Sequence, residues 1–340
     1  MSVAIRGCGW VTPMGASVDA VCQAILRGEC ADPVTLTYPD SGRTLQYLRV
    51  PEADIAHVAR FPRLRRSSRI SHLAMTAALA AIADSGLDPA DPNRRWAVLF
   101  AASNGGVVYT RKFFAELANR GTHAGSPLLF PETVYNAPAS HIAAHLGITG
   151  TTSTMVGDAT VSIQALAMAE DLVNSGGCDS CLVVAAEETD WILAEAYAVW
   201  GIGGFVRPVF ADGAAAVVLE REGDCRVTCD AGSSYSNSGE AKSAIVRSLQ
   251  ALTEISDVHS VVGSTSGGKF DTPETRAIAE VFGDIPQTHP KFSLGEAFGT
   301  STLSQIIMAT RMVQSLSLSS IAVPVLGWNG QCAAACVQLH

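Results

Sequence analysis

The stretch VAIRGCGWVTPMGASVDAVCQAILRGE, residues 3–29, sets the architecture of the chain. Its apolar opening runs into a turn rich in glycine and proline, and the spacing of apolar residues beyond that turn becomes helical. Residues 3–7 read as a short strand and residues 17–27 as an amphipathic helix. The same alternation continues outward, which predicts a layered α/β protein. Residues 69–85 read as a long Ala-rich helix stopped by Gly86. Residues 97–102 form a continuous apolar run, as expected of a strand buried on both faces. A helix over 139–146, a turn over 147–152 and a strongly apolar helix over 162–175 follow, the last stopped by Gly176 and Gly177. Residues 181–186 and 214–220 read as adjacent strands.

After residue 222 the pattern starts again. Strands are expected over 225–231 and 260–263, helices over 240–252, 272–282 and 300–316, and closing strands over 320–325 and 333–339. Two successive halves of similar βα order, 1–222 and 223–340, suggest a duplicated fold. No low-complexity linker separates them, so the halves should pack as one unit.

Composition excludes several classes of function. The chain has 340 residues, 48% hydrophobic and 16% charged, enough to bury a large core. A formal charge of −9 argues against nucleic acid as partner, because phosphate binding needs basic patches. The basic run RLRRSSR, residues 63–69, reads as the solvated start of the following helix, with contact to an acidic carrier protein as the alternative. No stretch reaches the ~18 to 20 apolar residues that span a bilayer; residues 73–83 come nearest and suit a buried helix. The opening MSVAIRGCGWVTP reads as a strand entering a turn, not as a signal peptide. Nine cysteines in apolar surroundings suit a cytoplasmic chain with buried thiols better than a disulfide framework. Cys178 and Cys181 make a CxxC, but no second pair of matching spacing accompanies it. His141 and His145 stand four residues apart without a third ligand, so no metal site is expected, and nothing requires a cofactor. Packing, capping or surface roles suit these two histidines, as they do His259 and His289.

The ordered motifs carry a resemblance. Residues 3–29 resemble the opening of β-ketoacyl-ACP synthases of the elongating type, where a strand leads into G-x-G-x-V-T-P-x-G and a helix. SSRISHLAMTAALAAIADSGLD (67–88) resembles their next helix, and YNAPASHIA (135–143) their P-N-x-x-A-x-H-I-A segment. FADGAAAVVLE (210–220) is similar to their G-E-G-A-x-x-x-V-L-E strand. ETRAIAEVFG (274–283) is similar almost letter for letter, and LGWNGQ (326–331) resembles the final F-G-F-G-G-x loop. The motifs span nearly the whole chain in order. The resemblance implies a thiolase-like fold, with duplicated βα halves layered αβαβα. The chain is shorter than typical members, and residues 187–210 and 231–240 look abbreviated, which implies an altered cover over the catalytic entrance.

Against that family the three catalytic positions are changed. Its nucleophile is a Cys in T-A-C-S/T-S at the start of a buried helix, whose dipole and free N–H groups favour the thiolate. STMVGDATVS (153–162) puts Ala159 at that position, with Asp158 beside it at the helix N-terminus. An alanine methyl cannot form a thioester. The first catalytic His lies in H-G-T-G-T, where VVGSTSGG (261–268) has Ser264. The second lies in K-x-x-x-G-H, where KFSLGE (291–296) retains Lys291 but places Glu296 in the His position. In the family these histidines donate hydrogen bonds to the thioester carbonyl and stabilise the carbanion formed on decarboxylation. A hydroxyl and a carboxylate do not reproduce that field.

The resemblance therefore extends to the non-condensing branch, the chain-length factors, which pair with an active ketosynthase and shape the tunnel that receives the product. Such factors commonly carry Gln where this chain has Ala159. The implied partners are a Cys-bearing β-ketoacyl synthase, or a second copy of this chain, and an acyl carrier protein. In this fold the segment matching SPLLFPETVY (126–135) crosses the dimer interface, so Leu129, Phe130, Thr133 and Tyr135 are candidates for setting chain length. Trp328 and Asn329 are expected, with Asp158, to line the pocket. The competing expectations are a standalone acyl-thioester hydrolase or transferase using Ser264 and Glu296, and a homodimer that binds an acyl ligand without turnover.

Overall fold

The computed structural model describes residues 2–38, 41–199, 209–253, 257–268 and 270–339. The first half of the chain runs β1 (Val3–Val11), α1 (Val18–Leu26), β2 (Val34–Thr37), β3 (Thr44–Tyr47), α2 (Glu52–Ile55), α3 (Arg69–Ser85), β4 (Trp96–Ala102), α4 (Val107–Arg120), α5 (Ala137–Leu146), β5 (Thr152–Val156), α6 (Val161–Asn174), β6 (Ser180–Glu187), α7 (Trp191–Val199) and β7 (Gly213–Glu220). The second runs β8 (Cys225–Ser234), α8 (Ser238–Thr253), β9 (Ser260–Val262), α9 (Asp271–Phe282), β10 (Gln287–Thr288), α10 (Lys291–Leu294), α11 (Gly299–Leu316), β11 (Ser320–Leu326) and β12 (Gln331–Leu339).

Ten strands pair in the order β10-β9-β11-β12-β8-β1-β7-β6-β4-β5. The order is symmetric about its middle. β1, β7, β6, β4 and β5 correspond in turn to β8, β12, β11, β9 and β10, with the same parallel and antiparallel pairings. Among the described residues the two sets of strands pair with each other only through Val3 opposite Val227 and Ala4 opposite Arg226.

Alternation along the buried strands divides the core into layers. Cys181, Val183 and Ala185 of β6 point into a central cluster with α6 and α11, whereas Leu182 and Val184 point into an outer cluster under α3 and α5. A matching outer cluster lies under α8 and α9. α6 and α11 each pack on strands of both sets, α6 against β6 and β8, α11 against β7 and β12. The layers are thus αβαβα, as the resemblance implied.

β1 is longer than its apolar opening suggested, because Gly7 and Gly9 belong to the strand. A Cβ at Gly9 would lie 2.3 Å from the Ala81 amide nitrogen, and one at Gly7 2.4 Å from the Ala81 carbonyl oxygen. The glycines are therefore where α3 presses on the strand. Residues 153–156, read as the approach to the nucleophile, form β5 at the edge of the sheet.

The basic run requires correction. Arg63, Arg65 and Arg66 are exposed, but Arg69 is drawn inward. Its Nε lies 2.8 Å from Asp212 Oδ2, its Nη2 donates to Val50 O at 2.7 Å, and it also pairs with Glu52. The other negative expectations concern metal and membrane. Among the described residues no group of three His, Cys, Asp or Glu is placed to hold a metal, and no helix is long and apolar enough to cross a membrane. All nine cysteines are free. His141 Nε2 lies 2.7 Å from Glu132 Oε1, and the His145 ring packs on Phe61 at 4.1 Å.

Candidate functional site

The site forms where the N-termini of the two central helices meet. β5 delivers Gly157, Asp158, Ala159 and Thr160 to the start of α6. The Thr302 hydroxyl donates to Ala159 O at 2.7 Å, and the Ser162 hydroxyl donates to Gly299 O at 2.7 Å, tying α6 to α11. Ala159 is buried and offers only its methyl group.

Asp158 does not behave as a helix-stabilised free carboxylate. Burial raises its pKa, and the amides of Asn329, Thr160 and Trp328 pull it back less than burial lifts it. The Asn329 amide donates to Oδ2 at 2.9 Å. A Cβ at Gly327 would lie 2.4 Å from Asp158 Oδ1, so glycine is required there for the carboxyl to reach the loop. Asp158 thus fastens the 327–329 loop to the start of α6. Asp158, Trp328 and Asn329 lie together, beside Ala159.

Ser264 follows β9 and its side chain is directed to Glu274, not to Glu296. The Ser264 amide donates to Glu274 Oε1 at 2.6 Å, and its hydroxyl bonds Glu274 Oε2. Burial pushes the Glu274 carboxyl up to about 7, against the hydrogen bonds from Ser264 and the charge of Lys291. His289 stands nearby, but its Nδ1 lies 2.7 Å from Thr265 Oγ1. Burial lowers the His289 pKa, and Asp271 only partly opposes this.

Glu296 is held just as firmly. Lys291 Nζ lies 2.8 Å from Oε2, with both side chains almost fully buried, and the Phe298 amide donates to Oε1 at 2.8 Å. Phe298 itself has φ 50° and ψ −121°, a strained backbone for a non-glycine residue. Its ring joins Tyr197, Phe210 and Trp328 in a cluster with centroids 5.0 to 6.1 Å apart. The Tyr197 hydroxyl donates to Asn104 Oδ1 at 3.1 Å, and Asn104 in turn donates to the buried Glu187.

Leu129, Phe130, Thr133 and Tyr135 belong to a separate surface. Glu132 anchors their segment, accepting from the Ser68 amide at 2.8 Å and facing His141. Phe130 packs on Phe113 at 5.6 Å. The two regions approach at Gly105, where a Cβ would lie 2.8 Å from the Tyr135 ring, next to the Asn104 that Tyr197 contacts. The residues not anticipated are therefore Glu274, Tyr197, Phe210 and Phe298. Glu274 stood in the best-matched motif, in the first turn of α9, but its partner could not be read from spacing. The abbreviated stretch at 187–210 includes residues 200–208, which lie outside the described residues.

The family model for the β-ketoacyl synthase N-terminal domain matches residues 1–201. A sequence comparison with functionally curated proteins gives no match. In three dimensions the chain is similar to the ishigamide ketosynthase/chain length factor, with TM-score 0.83 and 16% identity, covering 100% of this chain and 99% of that one. It is also similar to the ketosynthase ApeO in complex with its chain length factor ApeC from Xenorhabdus doucetiae, with TM-score 0.81, 15% identity and coverage of 100% and 98%. A β-ketoacyl synthase from Burkholderia phymatum STM815 gives TM-score 0.81 at 17% identity, with coverage of 100% and 99%. These likenesses place the layered sheet in the thiolase-like ketosynthase fold. With more than half of its 340 residues matched by the family model, the chain belongs to the β-ketoacyl synthase family.

Proposed function

We propose that this chain is a chain-length-factor-like subunit without condensing activity of its own, which pairs with a Cys-bearing β-ketoacyl synthase and shapes the tunnel for a growing acyl or polyketide chain. Such a role would place it in fatty-acid or polyketide biosynthesis in the cytoplasm. The observation that carries the reading is a set of exposed apolar side chains on α4, in the segment after it and at the sheet edge. α4 has no buried residue, and Phe114 on it is 60% exposed. Phe130 and Val156 are 56% and 54% exposed, and Leu128, Val134 and Tyr135 are exposed beside them. Val156 lies on β5, at the edge of the sheet, where backbone groups are available to a partner. Exposed apolar patches rimmed by polar residues mark association surfaces. Two of the similar structures contain a ketosynthase with its chain length factor, which supports the choice of partner.

The side chains at the altered positions favour the subunit reading over a standalone hydrolase or transferase. Ser264 is bonded to Glu274 and Glu296 to Lys291, so the proposed serine and its carboxylate are each engaged elsewhere. The homodimer that holds an acyl ligand would use the same apolar surface. The exposed Arg60, Arg63, Arg65 and Arg66 suit an acidic acyl carrier protein. We also take 1–222 and 223–340 as the two halves of the duplication.

Co-expression with a Cys-bearing ketosynthase, followed by native mass measurement, tests the pairing. A one-to-one heterodimer is expected; a homodimer that ignores the ketosynthase would overturn it. In the heterodimer, Phe130→Ala should shift the product-length distribution, and an unchanged distribution would remove Phe130 from the tunnel.

A further inference from the structure

α4 carries the exposed Phe114, and none of its own residues is buried. A helix with no buried face gains little order from apolar packing, so polar bonds near its start set its position. Its N-cap, Gly106, has no side chain to offer the free amides of the first turn. Glu188 serves one of them from outside the helix, its Oε1 accepting from the Val108 amide at 3.0 Å. One turn on, Arg111 Nη2 donates to Asp190 Oδ2 at 3.0 Å, and the guanidinium stands over the Trp191 ring at 5.5 Å.

Asp190 makes a second set of bonds. Its Oδ1 accepts from the Ile192 amide at 3.2 Å and its carbonyl accepts from the Leu193 amide at 3.1 Å, so it is also the N-cap of α7. One buried carboxylate thus joins α4 to the helix that carries Tyr197. The join closes at the far end of α7, where the Tyr197 hydroxyl donates to Asn104 just before α4, and Glu187 accepts from the Ser103 and Asn104 amides. A charge-assisted bond held mostly out of water is stronger than a neutral one.

On the reading that α4 belongs to the association surface, we propose that Asp190 is the positioning residue of that surface, holding α4 through Arg111 in the orientation that the partner ketosynthase meets. The fraction of chains with α4 in place then scales the apparent affinity for that partner.

Hydrogen exchange on the full chain, together with titration of a Cys-bearing ketosynthase, tests the assignment. Asp190→Asn keeps the α7 cap, because Asn caps as well as Asp, but removes the charge that holds Arg111. Amide exchange in α4 should rise about ten-fold, while exchange in α6 and α7 stays at the parent rate. The Kd for the ketosynthase should rise several-fold. Arg111→Met should act in the same way, and the double variant should be little worse than either single one. Asp190→Ala should loosen α7 as well. Unchanged exchange in α4 of Asp190→Asn, or exchange that rises equally throughout the chain, would overturn the tie. Faster exchange in α4 with unchanged affinity would overturn its part in association. A parent chain that does not pair with the ketosynthase would overturn the pairing itself, while exchange in α4 still decides whether Asp190 holds the helix.

Discussion

Lys291→Met removes the cation bonded to Glu296 and leaves the carboxylate in a site where its side chain is 1% exposed. Breaking one side of a buried ion pair costs about 3–5 kcal/mol, because the remaining charge is neither solvated nor neutralised. Glu296→Gln should cost less, about 1–3 kcal/mol. The amide oxygen can still accept from the Phe298 amide and from Lys291, and Glu274 lies close enough for its charge to feel Lys291. The double variant should then sit near the milder single variant, so the coupling energy is close to the full cost of Lys291→Met, about 3–5 kcal/mol. Urea unfolding followed by fluorescence reads these differences. With a slope of about 3 kcal/mol/M, Lys291→Met should lower the midpoint by about 1–2 M. Additive losses, with coupling within about 0.5 kcal/mol, would show that the two side chains do not act as a pair. The reasoning that Glu296 is a charge-neutralised anchor, with no role as an acid or base, would then fail.

Stability should also depend on pH near neutrality. Burial pushes the carboxyls of Glu187, Glu188 and Glu274 up to about 7, above the usual 4.5. The folded chain therefore binds these protons more tightly than the unfolded chain. Their contribution is fully present below about pH 4.5 and is lost as pH rises through about 7, at most about 3 kcal/mol for each group. Glu132 opposes this at the acid end. Hydrogen bonds from His141 and Ser68 outweigh burial and lower its pKa, so its contribution is lost only as pH falls below the usual carboxylate range. Urea midpoints should decline between pH 5 and 7.5, and Glu274→Gln should flatten the decline; a flat parent profile would refute the assignment. Ala159→Cys supplies a thiol but not the two histidines. It should leave carbon dioxide release from a malonyl thioester at the parent rate, and faster release in that single variant would show that Ser264 and Glu296 suffice.

Elements whose own residues are buried were legible. The helix over 69–85 and its stop at Gly86 were read to the residue, because α3 packs against strands along much of its length and Gly86 adopts φ 68°. α4 was missed because its apolar residues face no core of this chain, and its mean hydropathy is near zero. β5 was missed for the converse reason: an edge strand of sequence TSTMV has no continuous apolar run. Under the resemblance, register puts Ala159, Ser264 and Glu296 at the family's catalytic positions. Their partners were not legible. Asn329 meets Asp158 across 171 residues, and Ser264 meets Glu274 across a loop whose path the sequence does not state.

The hydrogen bonding of the site bears on what the substitutions leave behind. A catalytic group must hold some capacity in reserve, a proton to move or a donor aimed at charge that develops only in the transition state. Here the oxygens of Asp158 accept the Asn329 and Thr160 amides, those of Glu274 accept Ser264, and those of Glu296 accept Phe298 and Lys291. The longer-range bonds fasten one element to another: Asp158 holds the 327–329 loop to the start of α6, Ser264 after β9 is held to α9, and Lys291 of α10 is held to the segment before α11. On the proposed reading Glu296 stands where the family places a hydrogen-bond donor to an incipient enolate, and Lys291 is the cation bonded to it. Any further negative charge there would meet the Glu296 carboxylate and its bonded Lys291. On the proposed reading this is consistent with a subunit whose contribution is shape, because the bonds that keep the wall rigid are the same ones that occupy the oxygens of Asp158, Glu274 and Glu296.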